Sequence, residues 1–192
     1  MMNRLIFISG VSGVGKSTLV SGLATKLQCS IIHQDSYFVA HKPRVTLSDG
    51  TKVSDWDCLE AIDFETLVAV IRTSRGANKL TIVEGFCLPN DLIGNSDLHL
   101  HLSPIYLSLE DKPSKRFEEQ RSVIIDRIEK ARLKTKSGSE HERLKIEELV
   151  WPFYLETLER STIDFFINVY NDDGTRRSES EIVSEVMTII VG

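Results

Sequence analysis

Residues Gly10-Val11-Ser12-Gly13-Val14-Gly15-Lys16-Ser17-Thr18 follow the apolar run Leu5-Ile6-Phe7-Ile8-Ser9 and precede a stretch of helical spacing. The spacing G-x-x-x-x-G-K-[ST], delivered by a strand and continued by a helix, is suited to holding a polyphosphate. Its glycines let backbone N–H groups turn inward, and the positive end of the following helix points at the same anion. Lys16 would reach the outer phosphates, and the Ser17 hydroxyl would ligand Mg²⁺. A glycine-rich turn that binds nothing is the alternative, but it has no need of Lys-Ser-Thr at a helix start.

Phosphate chemistry needs a carboxylate to orient or deprotonate a nucleophile, and a second acid near the metal. Asp35, in His33-Gln34-Asp35-Ser36-Tyr37-Phe38, lies just past a short strand, where it either faces a terminal phosphate or caps a turn. Glu84 lies at the end of another strand and is followed by Gly85, so it either reaches the Mg²⁺ hydration sphere or closes a strand at the surface. Trp56-Asp57 pairs a flat ring with a carboxylate in a polar connection. That pair suits a nucleoside, by stacking and by ribose hydroxyl binding, while packing is the plainer role for a lone Trp.

The elements that must position these residues alternate between strand and helix. Strands are expected over residues 5–9, 30–33, 79–83, 105–109 and 165–170, and helices over 16–28, 59–73 and 178–191. Such alternation predicts a mainly parallel sheet with helices on both faces, which gathers ligands at the carboxyl ends of its strands. Residues 111–148 are dense in Lys, Arg and Glu, with Ser137-Gly138-Ser139 as a break between two helices. Composition alone reads this stretch as a solvated helical hairpin; its place after the fourth strand reads it as a lid within a single domain spanning 1–192.

The 192 residues, 41% hydrophobic and 27% charged, suffice for one domain with a real core. A net charge of −5 argues against a nucleic-acid partner, and no apolar run has the length of a membrane span. Three scattered cysteines, Cys29, Cys58 and Cys87, fit neither a disulfide framework nor a zinc site and point to a reducing cytoplasmic compartment. They read as small core residues. A GTPase is excluded: Asn78-Lys79-Leu80-Thr81 lacks the Asp of N-K-x-D, and Asp91-Leu92-Ile93-Gly94 falls well beyond Glu84.

Taken together, the chain resembles the nicotinamide riboside kinases, within the uridine kinase-like group of P-loop kinases. The resemblance rests on the phosphate loop, residues 33–38, Trp56-Asp57-Cys58-Leu59-Glu60-Ala61, Ile82-Val83-Glu84-Gly85-Phe86, Val150-Trp151-Pro152-Phe153-Tyr154-Leu155 and Asp173-Gly174-Thr175. It implies a three-layer α/β fold with a five-stranded, mainly parallel sheet and a helical lid. It also implies ATP and Mg²⁺ as cofactors, and transfer of phosphate to the 5′-hydroxyl of a ribonucleoside, nicotinamide riboside before uridine or cytidine.

By this resemblance Asp35 is the general base and a metal-side carboxylate, and Ser36, Tyr37 and Phe38 form the substrate wall. Trp56 stacks on the base, Asp57 binds ribose, and Arg177 and Ser178 lie beside the adenine. The lid departs from the family, because Phe117 and Glu118 stand where basic residues are expected; Arg121 still matches a lid arginine, with Arg116 nearby. A nucleotide-binding regulatory protein with weakened catalysis is the rival that this departure raises.

Overall fold

The computed structural model describes residues 4–76, 80–86, 88–135 and 141–192. Seven strands, β1 (Leu5–Ser9), β2 (Ser30–His33), β3 (Arg44–Thr46), β4 (Lys52–Ser54), β5 (Thr81–Gly85), β6 (Leu98–Ser103) and β7 (Phe165–Asn168), form two sheets among these residues. The main sheet is entirely parallel, in the order β2-β5-β1-β6-β7. Helices α1 (Lys16–Leu27), α2 (Phe64–Gly76), α3 (Asn90–Ile93), α4 (Pro113–Glu119), α5 (Arg121–Thr135), α6 (Glu142–Lys145), α7 (Trp151–Glu159) and α8 (Glu179–Val191) surround it.

β1 is buried along its whole length, so its alternating side chains feed two cores. Ile6 and Ile8 join Leu19, Val20 and Leu23 of α1 and Val183 and Val186 of α8. Leu5 and Phe7 join Leu67 and Ile71 of α2. The expected α/β class is therefore the observed one.

The expected fourth strand at 105–109 is instead β6, seven residues earlier. Leu98-His99-Leu100-His101-Leu102 has the alternation of a half-exposed strand, yet both histidines are buried. They are tolerated because their ring nitrogens are paired. Ser9 Oγ lies 2.8 Å from His99 Nε2 and 2.8 Å from His101 Nδ1. Thr162 O lies 3.1 Å from His99 Nδ1, and the Tyr154 hydroxyl 2.9 Å from His101 Nε2.

Other boundaries also move. The expected helix over 59–73 splits into a 3-10 turn, Leu59–Ala61, and α2. Asp63 makes the break, since its carboxylate caps α2 by accepting from Thr66 N at 2.9 Å. The third strand runs to Gly85, and the fifth stops at Asn168. The connection before Trp56 contains the antiparallel hairpin β3–β4, with Val45 opposite Val53, where the sequence suggests only a polar connection. Cys29 and Cys58 are half-buried free thiols, and burial pushes the Cys58 thiol up to about 11; Cys87 and the Ser137-Gly138-Ser139 break lie outside the described residues.

The charged stretch after Asp111 is not a solvated hairpin. Phe117, at the position where a basic residue is expected, is fully buried and meets His101, Tyr154 and Phe166 ring to ring. Burying such a side chain stabilises the fold by about 1.5–3 kcal/mol, which anchors α4 to the main core. Ile124, Ile125 and Ile128 of α5 join the same core. α6 passes through a π-helical turn, Ile146–Val150, into α7.

Burial holds His99 down at about 4, against pairing with Thr162 O and the charge of Asp164, and burial depresses His101 as well. Both rings are therefore stabilised neutral. Their contribution is complete above the ordinary histidine value near 6.5 and is lost as pH falls from there toward 4. For His99 alone the full span corresponds to about 3 kcal/mol. Thermal unfolding is expected to shift to lower temperature between pH 6.5 and 5, before most carboxylates titrate. A midpoint that stays constant over that interval would contradict neutral, buried rings.

Candidate functional site

The carboxyl ends of β1, β2 and β5 bring the phosphate loop, Asp35 and Glu84 to one edge of the sheet, as parallel topology requires. Val11 and Val14 are buried in the core, which pins the loop from below. Gly13 takes φ +77, and a Cβ there would lie 1.9 Å from the Ala131 Cβ of α5. Only glycine permits that approach. Gly13 and Ala131 consequently stand between two clefts and line both.

One cleft, of about 610 Å³, runs along the outside of the loop past Gly15, Lys16, Ser17 and Thr18. Arg127, Lys130 and Lys134 of α5 and Arg176 of the last loop complete it, so its charged lining is entirely cationic. Arg176 donates to Val14 O at 3.0 Å, and the Arg127 guanidinium lies 3.5 Å over the Tyr170 ring. This is an environment for a polyanion.

The other cleft, of about 510 Å³, lies beyond Ser12 and Gly13. Asp35, exposed on the 3-10 turn Gln34–Tyr37, opens into it, with Phe38, Trp56, Phe86 and Phe153 as aromatic lining. Trp56 is 44% exposed, its ring edge-on to Phe38 and covered by Lys42 Nζ at 3.8 Å. It is thus a cleft residue and not core packing. Asp57 is bound by Arg132 at 2.7 Å, and Arg132 also approaches Glu142 at 3.4 Å and Ser12 Oγ at 3.5 Å.

Lys16 is half-buried, not exposed as its position at a helix start suggests, and donates to Val11 O at 3.2 Å. Burial lowers its pKa, Glu84 and Asp35 oppose that shift, and nearby Arg132 adds to it. For Arg132 burial also disfavours the charge, but Asp57 and Glu142 outweigh it and raise its pKa. Two cations thus converge on the phosphate loop, each supported by carboxylates.

Glu84 is buried; its Oε1 accepts from Ser17 Oγ at 3.1 Å and lies 2.8 Å from His33 Nδ1. Its Oε2 is buried with no hydrogen-bond partner among the described residues. An orphaned carboxylate oxygen beside the Ser17 hydroxyl fits a hard cation such as Mg²⁺. Among the described residues no three His, Cys, Asp or Glu converge into a cage. Mg²⁺ needs none, being held by one or two carboxylates with phosphate oxygens and water.

Several expected site residues are placed elsewhere. Arg121 is exposed over the Trp151 ring at 5.8 Å, and Arg116 is beside Glu119 at 3.4 Å; neither lines either cleft. Ser178 is the N-cap of α8, in a capping box with Glu181, so its hydroxyl serves the helix. Arg177 is tied to Glu185 and Asn168 O and lines a smaller cleft of about 200 Å³ beside Val14, Gly15 and Thr18. Tyr37 packs into the α2 core, and Ser36 lines neither cleft. Gly10 roots the loop against Leu102 and lines neither cleft.

Beyond Lys16, the cations that line the two larger clefts are Arg127, Lys130, Arg132, Lys134, Lys145 and Arg176, none of them among the expected site residues. A sequence signal existed. Ile124, Ile128 and Ala131 form one helical stripe, and basic residues flank it on both sides.

No family model matches the chain, and no curated protein matches it. Among solved structures the chain is similar to a sugar kinase from Janibacter sp. HTCC2649, at 20% identity, covering 96% of this chain and 92% of that one with TM-score 0.54. It is also similar to a chain from Chloroflexus aurantiacus provisionally named as a kinase, at 14% identity, covering 97% and 95% with TM-score 0.51. Likeness at this level establishes the fold. Among the described residues no helix is long and apolar enough to cross a membrane.

Arg132→Ala is expected to weaken binding of inorganic triphosphate about tenfold, the scale of a lost charge-assisted contact, while Arg121→Ala stays near wild type. Calorimetric titration of the two variants decides between them, and the reverse ranking would make Arg121 the cation nearer the loop.

Proposed function

We propose that the protein is a P-loop kinase that transfers the γ-phosphate of ATP to a hydroxyl of a small molecule, most specifically the 5′-hydroxyl of nicotinamide riboside. The observation that carries the reading is the pair of clefts sharing Gly13 and Ala131. The polyanion cleft holds Lys16, and the other opens onto Asp35. Such a layout suits a donor and an acceptor meeting at the loop. Both of the similar structures described above are named as kinases, which agrees with it.

In this reading Asp35 takes the proton of the acceptor hydroxyl. The hydroxyl oxygen then bonds to the γ-phosphorus, and the bond to the β–γ bridging oxygen breaks. Lys16 and Arg132 carry the developing charge. Mg²⁺, held on the Ser17 and Glu84 side, neutralises phosphate charge when bound. The finer choice of a nucleoside rests on the half-exposed Trp56 ring and on Asp57 with Arg132, an acid–base pair that presents both an acceptor and donors to ribose hydroxyls.

A coupled assay with ATP and a panel of nicotinamide riboside, uridine, cytidine and simple sugars tests the reading. Turnover is expected to be highest on nicotinamide riboside. Highest turnover on uridine or cytidine would make the protein a pyrimidine nucleoside kinase. Transfer to sugars alone, or no transfer, would overturn the nucleoside reading. Asp35→Asn is expected to lower kcat by about a hundredfold with less effect on KM. Should KM rise instead at constant kcat, Asp35 is a binding residue.

Trp56→Ala is expected to weaken acceptor binding by about 1–3 kcal/mol, the range for a base stacked on an aromatic, with ATP binding unchanged. Equilibrium titration of each ligand checks this, and an equal loss for both would remove the stacking role.

A further inference from the structure

The buried hydroxyl and imidazole chain behind the phosphate loop has a single consistent proton order. Thr162 O only accepts, so His99 Nδ1 carries the proton and His99 Nε2 accepts from Ser9 Oγ. The one Ser9 proton is then used, and Ser9 Oγ accepts from His101 Nδ1–H. His101 Nε2 in turn accepts from the Tyr154 hydroxyl. Donation thus runs Tyr154 to His101 to Ser9 to His99 to Thr162. Every ring nitrogen is satisfied, and the chain carries no charge. The facing charges are Asp164, which binds His99 N at 2.7 Å, and Lys16, whose field falls on His101.

Two members of the chain, Ser9 and Tyr154, lie where the two clefts are built. Ser9 is the last residue of β1 and immediately precedes Gly10. A Cβ on Gly10 would lie 2.9 Å from Leu102 O, so the root of the loop has no slack on that side either. Tyr154 lies on α7, next to Phe153, which lines the 510 Å³ cleft, and just after the π turn that supplies Leu149 to it. We propose that Ser9, His101 and Tyr154 are positioning residues: the chain fixes the root of the phosphate loop to the helix that walls the acceptor cleft, and so sets the distance between donor and acceptor. The role of Tyr154 presupposes the phosphotransfer reading above, whereas the role of Ser9 needs only nucleotide binding.

Tyr154→Phe removes one hydroxyl at almost constant volume and cuts the chain on the α7 side only. The binding of N-methylanthraniloyl-ATP is expected to be unchanged and kcat to fall about tenfold or more, as misplacement of reacting groups does. Ser9→Ala cuts the chain at the loop and is expected to weaken N-methylanthraniloyl-ATP about tenfold; Ser9→Thr, which keeps a hydroxyl that both donates and accepts, restores it. Val186→Ala in the α8 core, chosen for a similar loss of melting temperature, is expected to leave both readouts near wild type.

Overturning results are equally definite. If kcat of Tyr154→Phe and nucleotide affinity of Ser9→Ala fall only as far as in Val186→Ala, the chain is structural filler. Absence of transfer by the wild type overturns the kinase reading instead, and the Ser9 titration then decides the inference alone. Imidazole ¹⁵N spectra of the wild type provide a readout independent of any variant. Both His99 and His101 are expected as neutral Nδ1–H tautomers at pH 7, and an Nε2–H tautomer at His101 would break the chain.

Discussion

The contact of Gly13 with Ala131 organises the whole site. A helix laid directly on a phosphate loop must find a residue with no Cβ beneath it, and the 1.9 Å that a Cβ at Gly13 would leave to Ala131 marks how close the approach is. With α5 seated there, its helical period distributes the side chains. Arg127, Lys130 and Lys134 fall on the polyanion side, and Arg132 falls on the side of Asp35 and Asp57. Two clefts meeting at one loop follow from a single small-residue contact.

Electrostatics then decides which cations serve the loop. Lys16 and Arg132 are both partly desolvated, which disfavours their charge. Glu84 and Asp35 oppose that shift at Lys16, and Asp57 and Glu142 outweigh it at Arg132. The net result differs between the two, since the Lys16 pKa stays lowered while that of Arg132 is raised. Arg121, by contrast, is exposed and lies over the Trp151 ring at 5.8 Å.

Where the resemblance implies a basic residue, the structure has core packing. Phe117 is a core ring that ties α4 to β6, α7 and β7 through His101, Tyr154 and Phe166. Cations that line the clefts stand roughly three to five helical turns further along, on α5. Loss of basic residues at one point of this stretch is therefore no evidence of lost phosphate binding, because the clefts are lined by cations from elsewhere in it.

By itself the sequence determined the loop, the parallel sheet and the carboxylates at strand ends, because each depends on local spacing: G-x-x-x-x-G-K-[ST], apolar runs of strand length, and acids one or two residues past them. Tertiary structure decided the rest. His99 and His101 alternate with leucines as in a half-exposed strand, yet both are buried in β6, since Ser9 and Tyr154, distant in the chain, pair with their nitrogens. Trp56 was undecided between stacking and packing until Phe38, Lys42 and an open cleft surrounded it. Which of many arginines faces the loop depends on where α5 rests. That is set by Gly13 against Ala131, 118 positions apart in sequence, a contact that local spacing does not encode.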